Sequence, residues 1–242
     1  MLESDYTFEV IDAASQRMTW GEFEPRIRTA APKYYLTHCT AQTLTNDMYG
    51  VTLAKGIGAT TMAFGTHVTA MPTETMRDFP ALDFVIQGES ELTFREIIDV
   101  MEGCQSSRPE WVQELLEKTD ANWKPSPEPN ERGIDLSQIK GLVWRDRGQI
   151  RINNSRPFIR DLSDLPIPLH AHLSGNELDM PLKKNPLVLL VNPPAPDGRI
   201  WFSTHYRGNV HTRTEIVPTR YPLEQHAVML IGFESRLDNF SQ

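Results

Sequence analysis

Four short stretches of this chain place threonine, glycine, histidine and carboxylate directly after apolar runs, where such residues can meet a ligand instead of filling a core. Thr40, Thr43 and Leu44 follow the first run; Gly65, Thr66, His67 and Thr69 follow the second; Gly88 and Glu89 follow the third; Asn192, Pro193 and Pro194 follow the fourth. The threonine hydroxyls can bond the polar rim of a small molecule. Gly65 and Gly88 permit close approach of the backbone, because glycine has no Cβ, and Asn192 Pro193 Pro194 supplies a rigid floor. The same residue types also form ordinary turns and caps, so both readings stand at this level. His38 and His67 are single histidines at run ends, a setting that more often packs or solvates an imidazole than makes it a ligand. Glu89 and Glu91 read as an acid and base pair, yet carboxylates at a helix start are favoured by the dipole alone.

The elements that would carry these residues alternate. Extended runs are expected at 7–12, 34–39, 60–64 and 82–86, with helices at 19–30, 44–55, from about Pro72, and at 92–101. Such alternation predicts a parallel sheet covered by helices, and in an open parallel sheet ligands bind at the carboxyl ends of the strands. Residues 103–135 are proline-rich and charged around a helical piece at 111–118, and are expected to be an insertion or linker. Arg145 Asp146 Arg147 Gly148 between apolar runs reads as a β-hairpin, and 161–168, with Pro166 and Pro168, as an extended connector. The domain expectation is therefore a main α/β part at 1–102, insertion, hairpin and connector at 103–185, a strand, loop and helix at 186–230, and a tail at 231–242.

Composition excludes several classes. The net charge of −8 with dispersed basic residues argues against nucleic-acid binding, which needs clustered Lys and Arg. No apolar run approaches the roughly 20 residues that span a bilayer, and the Met1 Leu2 Glu3 Ser4 Asp5 start lacks leader character, so no membrane and a cytoplasmic location are expected. Cys39 and Cys104 are the two cysteines, without CxxC or CxxxCxxC spacing for zinc or an iron–sulfur cluster. Gly56-Ile-Gly58 lacks the third glycine of a dinucleotide fingerprint, His170 and His172 have no further ligand nearby in sequence, and neither GxSxG nor a P-loop occurs.

Taken in series, Val191 Asn192 Pro193 Pro194, the run Thr40 Ala41 Gln42 Thr43 Leu44 Thr45 Asn46 Asp47, Phe64 Gly65 Thr66 His67 Val68 Thr69, Gly88 Glu89 Ser90 Glu91 Leu92 Thr93 and Asp164 Leu165 Pro166 Ile167 Pro168 resemble a known set of motifs. They are similar to the cobalamin-binding half of B12-dependent radical S-adenosylmethionine enzymes, closest to the anaerobic magnesium-protoporphyrin monomethyl ester cyclase group. The resemblance implies a flavodoxin-like, doubly wound parallel sheet of order 2-1-3-4-5 with a small β-hairpin extension. It also implies a corrinoid partner held by Thr40, Thr43, Leu44, Gly65, Thr66, His67, Thr69, Gly88, Glu89, Asn192, Pro193 and Pro194.

The order departs from that family. There the Asn-Pro-Pro strand comes first; here 187–191 comes late, and joining Leu230 to Glu3 would restore the family order, as in a circular permutation or a reading frame begun at an internal methionine. Its first strand would then be supplied by the C-terminal segment and sit centrally, followed by a helix at 222–230. No Asp-x-His-x-x-G occurs, so cobalamin without a histidine lower ligand is expected. Where the family enters its radical domain this chain has Pro186 Leu187 Val188, so no iron–sulfur cluster and no catalysis by this chain alone are expected. Competing expectations are a subunit of a split oxidoreductase or methyltransferase of tetrapyrrole metabolism, meeting a separate radical-domain protein, and a non-functional gene fragment.

Overall fold

The computed structural model describes residues 2, 5–13, 16–127, 133–161, 164–166, 179–180, 183–186, 188–192, 201–206 and 209–210. The chain divides into two compact units, one of Met1–Thr7 with Gly21–Arg160 and one of Phe8–Trp20 with Asp161–Gln242.

In the first unit the alternation is realised as α1 (Trp20–Ala30), β1 (Tyr34–His38), α2 (Leu44–Gly56), β2 (Thr60–Phe64), α3 (Thr66–Ala70), α4 (Pro72–Asp78), β3 (Phe84–Ile86) and α5 (Ser90–Glu102). After α6 (Glu110–Thr119) come β4 (Leu142–Asp146) and β5 (Gln149–Ile152). The architecture is α/β, with one mixed five-stranded sheet in the order β1-β2-β3-β4-β5. β1, β2 and β3 are parallel, with Thr37 opposite Ala63 and Ala63 opposite Val85. β4 runs antiparallel to β3, and β5 to β4.

Both faces of the sheet are buried, which is why Met62–Phe64 of β2 and all of β3 are apolar. Ala63, Val85 and Val143 face a cluster with Cys39, Met48, Val51, Val68 and Met76; Met62, Phe84, Ile86 and Leu142 face Ile97, Ile98, Val100 and Ile139 on the other side. The stretch 103–135 is not a loose linker throughout: α6 buries Val112, Leu115 and Leu116. The hairpin, expected as a small extension, continues the main sheet beside β3. Arg147 and Gly148 at its tip both have positive φ, 50° and 85°, the geometry of a two-residue primed turn.

Two strand expectations are corrected. Residues 7–12 form no strand; Phe8 and Val10 stay 38% and 41% exposed, so the segment lacks the buried apolar face that stabilises a strand in a sheet. The segment 187–191 does yield a strand, β8 (Val188–Asn192), with Leu187 itself outside the described residues. It pairs antiparallel with β9 (Trp201–Tyr206), Asn192 opposite Trp201, in a three-stranded sheet completed by β10 (Asn209–Val210). A nearby antiparallel partner requires a far smaller loop closure than insertion beside a strand over a hundred residues away. The central placement and the 2-1-3-4-5 order are therefore not formed: among the described residues β1 is an edge strand with β2 as its only neighbour. A two-stranded ladder, β6 (Asp179–Met180) with β7 (Lys183–Pro186), precedes β8. The expected helix at 222–230 and the tail at 231–242 lie outside the described residues.

Candidate functional site

Because β1, β2 and β3 are parallel, their carboxyl ends lie along one edge of the sheet. Every loop leaving that edge carries residues singled out in the sequence. Thr40 and Thr43 follow β1, Gly65, Thr66, His67 and Thr69 follow β2, and Gly88 and Glu89 follow β3. Leu44, in contrast, packs against the core on the α2 side of the sheet. Asn192 belongs to β8 of the second unit, and Pro193 and Pro194 lie outside the described residues.

The loop after β1 is held by a chain of hydroxyls. The Thr43 hydroxyl donates to Asp47 Oδ2 at 2.6 Å, while the backbone N–H of Thr40 reaches Thr43 Oγ1 at 3.2 Å and the Thr40 hydroxyl lies 2.9 Å from it. Asp47 was not singled out in the sequence; it sits in the first turn of α2, four residues past Thr43, a position that reads as ordinary dipole compensation. Burial raises its carboxyl above the usual range, opposed by hydrogen bonds from Thr43 and Cys39 and by His38. Burial, with the Asp47 charge adding to it, pushes the Cys39 thiol up to about 12. Burial and the neighbouring carboxylate thus favour the neutral thiol at Cys39.

Gly65 has a different purpose from the one its type suggested. At φ 118° and ψ −177° it opens α3, and a Cβ there would stand 2.5 Å from the Cys39 carbonyl oxygen and 2.9 Å from His38 Cδ2. Its missing side chain admits the end of β1, not a ligand. The Cys39 N–H donates to Phe64 O at 2.7 Å, and the His67 N–H to Cys39 O at 3.4 Å, closing that seam. The His38 and Phe64 rings meet at 5.1 Å. Gly88 is the open glycine: φ is 73° and a Cβ would have no heavy atom within 4 Å. Its N–H donates to Thr69 Oγ1 at 3.1 Å, so Thr69 ties the α3 loop to the end of β3. Thr66 is exposed and His67 half-buried.

Glu89 is committed to structure. Its Oε2 accepts the Ile159 N–H at 2.8 Å, holding the stretch that follows β5 against the start of α5. Burial raises its carboxyl, partly offset by that hydrogen bond and reinforced by Glu91. A carboxyl raised in the folded state takes up its proton on folding, so its contribution favours folding at low pH and is lost as pH rises through the elevated range. Glu89→Gln, which mimics the protonated form, is expected to raise the urea midpoint at pH 7. It should also flatten the change in midpoint between pH 7 and pH 5 relative to the wild type.

Among the described residues, no group of three or more His, Cys, Asp and Glu is arranged to hold a metal ion, and no helix is long and apolar enough to cross a membrane. A cavity of about 270 Å³ opens away from the sheet edge, lined by Asp5, Tyr6, Arg95, Cys104 and Ser107. Its Arg95 and Asp5 pair with each other at 2.5 Å.

No family model matches the chain. Over 170 residues, 69% of its length, it is 25% identical to an uncharacterized methyltransferase of Pyrococcus horikoshii; the matched region spans 31% of that relative.

Proposed function

We propose that the first unit is a corrinoid-binding module of the kind found in B12-dependent radical S-adenosylmethionine enzymes. The observation that carries this reading is the gathering of Thr40, Thr43, Thr66, Thr69 and the open Gly88 on the carboxyl edge of three parallel strands. A corrinoid is a broad, largely apolar disc edged with amides, and it needs polar loops for its rim and an approach without bulk. The residues present fit that demand in part: hydroxyls line the edge and Gly88 leaves it open, whereas Gly65 is filled by the β1 backbone. When bound, a corrinoid supplies a cobalt centre for methyl transfer. The chain's own residues hold the rim and fix the loops. Similarity to a protein named a methyltransferase agrees with a role in methyl transfer.

The test is reconstitution with hydroxocobalamin followed by desalting and a visible spectrum. Retained corrinoid absorbance is expected, and none retained would overturn the reading. His67→Ala should leave that spectrum unchanged, since no histidine lower ligand is proposed; a shift to an altered axial-ligand spectrum would make His67 that ligand.

A second reading is favoured by the methyltransferase relative: S-adenosylmethionine occupies the same edge. Equilibrium dialysis with radiolabelled S-adenosylmethionine separates the two. Retention of S-adenosylmethionine without corrinoid would establish the second reading. Stable co-purification with a protein carrying CxxxCxxC would place the chain as one subunit of a split methyltransferase or oxidoreductase.

A further inference from the structure

The hydroxyl chain after β1 has a direction, and that direction limits what can bind it. Thr43 has one hydroxyl proton, and it is donated to Asp47 Oδ2 at 2.6 Å. The Thr43 oxygen can then only accept, from the Thr40 N–H at 3.2 Å and from the Thr40 hydroxyl at 2.9 Å. The Thr40 proton is thereby consumed as well. Thr40 Oγ1 has no other bonded partner among the described residues, and Thr40 is half-buried at the end of β1. A hydroxyl carries one donor and two acceptor positions, so this one is left with acceptor capacity alone.

We infer that Asp47 is a positioning residue which, through Thr43, turns the Thr40 oxygen into a fixed hydrogen-bond acceptor. The sheet edge therefore takes an N–H donor, a primary carboxamide or an amine, and disfavours a phosphate at this point. The inference deepens the proposed corrinoid reading and rests on the same edge being the binding site. The shared chemistry is an N–H group, which the rim amides of a corrinoid and the amine of S-adenosylmethionine both offer. A phosphate oxygen at this position would face the Thr40 lone pairs with the Asp47 carboxylate behind them. Without Asp47 the Thr43 proton is released toward Thr40, which can then donate outward, and the preference reverses.

Dissociation constants for hydroxocobalamin, S-adenosylmethionine and inorganic pyrophosphate test this on the intact chain. Loss of one such hydrogen bond is worth about tenfold in affinity. Thr40→Val should weaken the N–H-bearing probe that binds by about that factor, and Thr40→Ser should restore it. Asp47→Ala should weaken the same probe similarly and strengthen pyrophosphate, and the Thr40→Val/Asp47→Ala double variant should bind no worse than Thr40→Val alone. A general loss of packing would move none of these preferences. Thr43→Val keeps the Asp47 charge while breaking the chain, and should show the same loss if Asp47→Ala fails to fold.

Hydroxocobalamin bound with unchanged affinity by Thr40→Val would overturn the inference and leave the corrinoid reading intact. S-adenosylmethionine bound with the Thr40 and Asp47 dependence, and hydroxocobalamin not bound, would overturn the corrinoid reading and support the inference. Binding of neither N–H probe, or tightest binding of pyrophosphate by the wild type, would overturn the inference.

Discussion

Gly65→Ala is expected to destabilise the first unit by about 3 kcal/mol or more, a lowering of the melting temperature of about 6 to 12 °C for a unit of this size. Two independent costs add. The backbone at φ 118° and ψ −177° lies in a region that is essentially restricted to glycine. The added methyl would also stand 2.5 Å from the Cys39 carbonyl oxygen and 3.0 Å from the Cys39 nitrogen. These are main-chain atoms at the end of β1, and they cannot rotate away as the tip of a side chain can. Relief requires β1 and β2 to part at their carboxyl ends, where Cys39 N–H and Phe64 O are joined at 2.7 Å. A thermal melt monitored by far-ultraviolet circular dichroism checks the loss. Gly88→Ala is the control: its φ of 73° carries backbone strain but its Cβ meets nothing within 4 Å, so a loss of about 1 kcal/mol is expected. Equal losses at the two glycines would show that the Cys39 contact contributes nothing. The same geometry makes Gly65→Leu a poor probe of ligand approach, because it would disturb the seam before any ligand arrived.

The parallel part of the sheet was legible in the sequence because its signals are local and redundant. Residues 62–64 and 84–86 are apolar on both faces between helical periods, and a strand so buried admits few other placements. The residues on the carboxyl edge were legible for the same reason: once the strands are parallel, the loops after them must share an edge. Pairing at long range was not legible. The turn at Arg147 and Gly148 is written locally, whereas the contact that joins its strand to β3, Phe84 opposite Trp144, bridges distant segments. The run at 187–191 suits a central strand by its apolarity, yet that property does not name a partner, and β9 is the nearer one. α3 was missed because Thr66, Val68 and Thr69 are β-branched, and its start depends on the conformation of Gly65. Asp47 carries no local signal of a role, since its function in the loop depends on Thr43 and Cys39 converging on it and on Thr40 bonding Thr43.

Asp99→Ala is expected to cost about 3 to 5 kcal/mol, because it removes the anion from a buried polar cluster and leaves the cations behind. Asp99 is fully buried on α5 and bonds Arg95 Nε at 2.9 Å, Arg108 Nε at 2.5 Å and the Tyr6 hydroxyl at 2.8 Å. Arg95 and Arg108 are 1% and 8% exposed, so neither guanidinium can turn to water without local opening. Arg95 would keep Asp5 at 2.5 Å; Arg108, stacked at 5.7 Å over the Trp123 ring, would lose its carboxylate. The cluster draws three segments onto α5: the N-terminal Asp5 and Tyr6, the turn at Arg108 just past the helix, and, through Glu96 and Trp123 at 2.6 Å, the stretch beyond α6. A neighbouring pair, Arg156 with Glu96, fastens the stretch after β5 to the same helix. α5 begins beside Gly88 and Glu89, so loosening it should disturb the sheet edge as well as the fold. Urea unfolding at neutral pH measures the energy. Tyr6 supplies a local readout, since its hydroxyl is held above the ordinary phenol range first by burial and then by its bond to Asp99. Spectrophotometric titration of the Asp99→Ala variant should show a phenol ionising at lower pH than in the wild type. A stability loss under 1 kcal/mol with an unmoved phenol would mean that the cluster is neither tightly buried nor centred on Asp99.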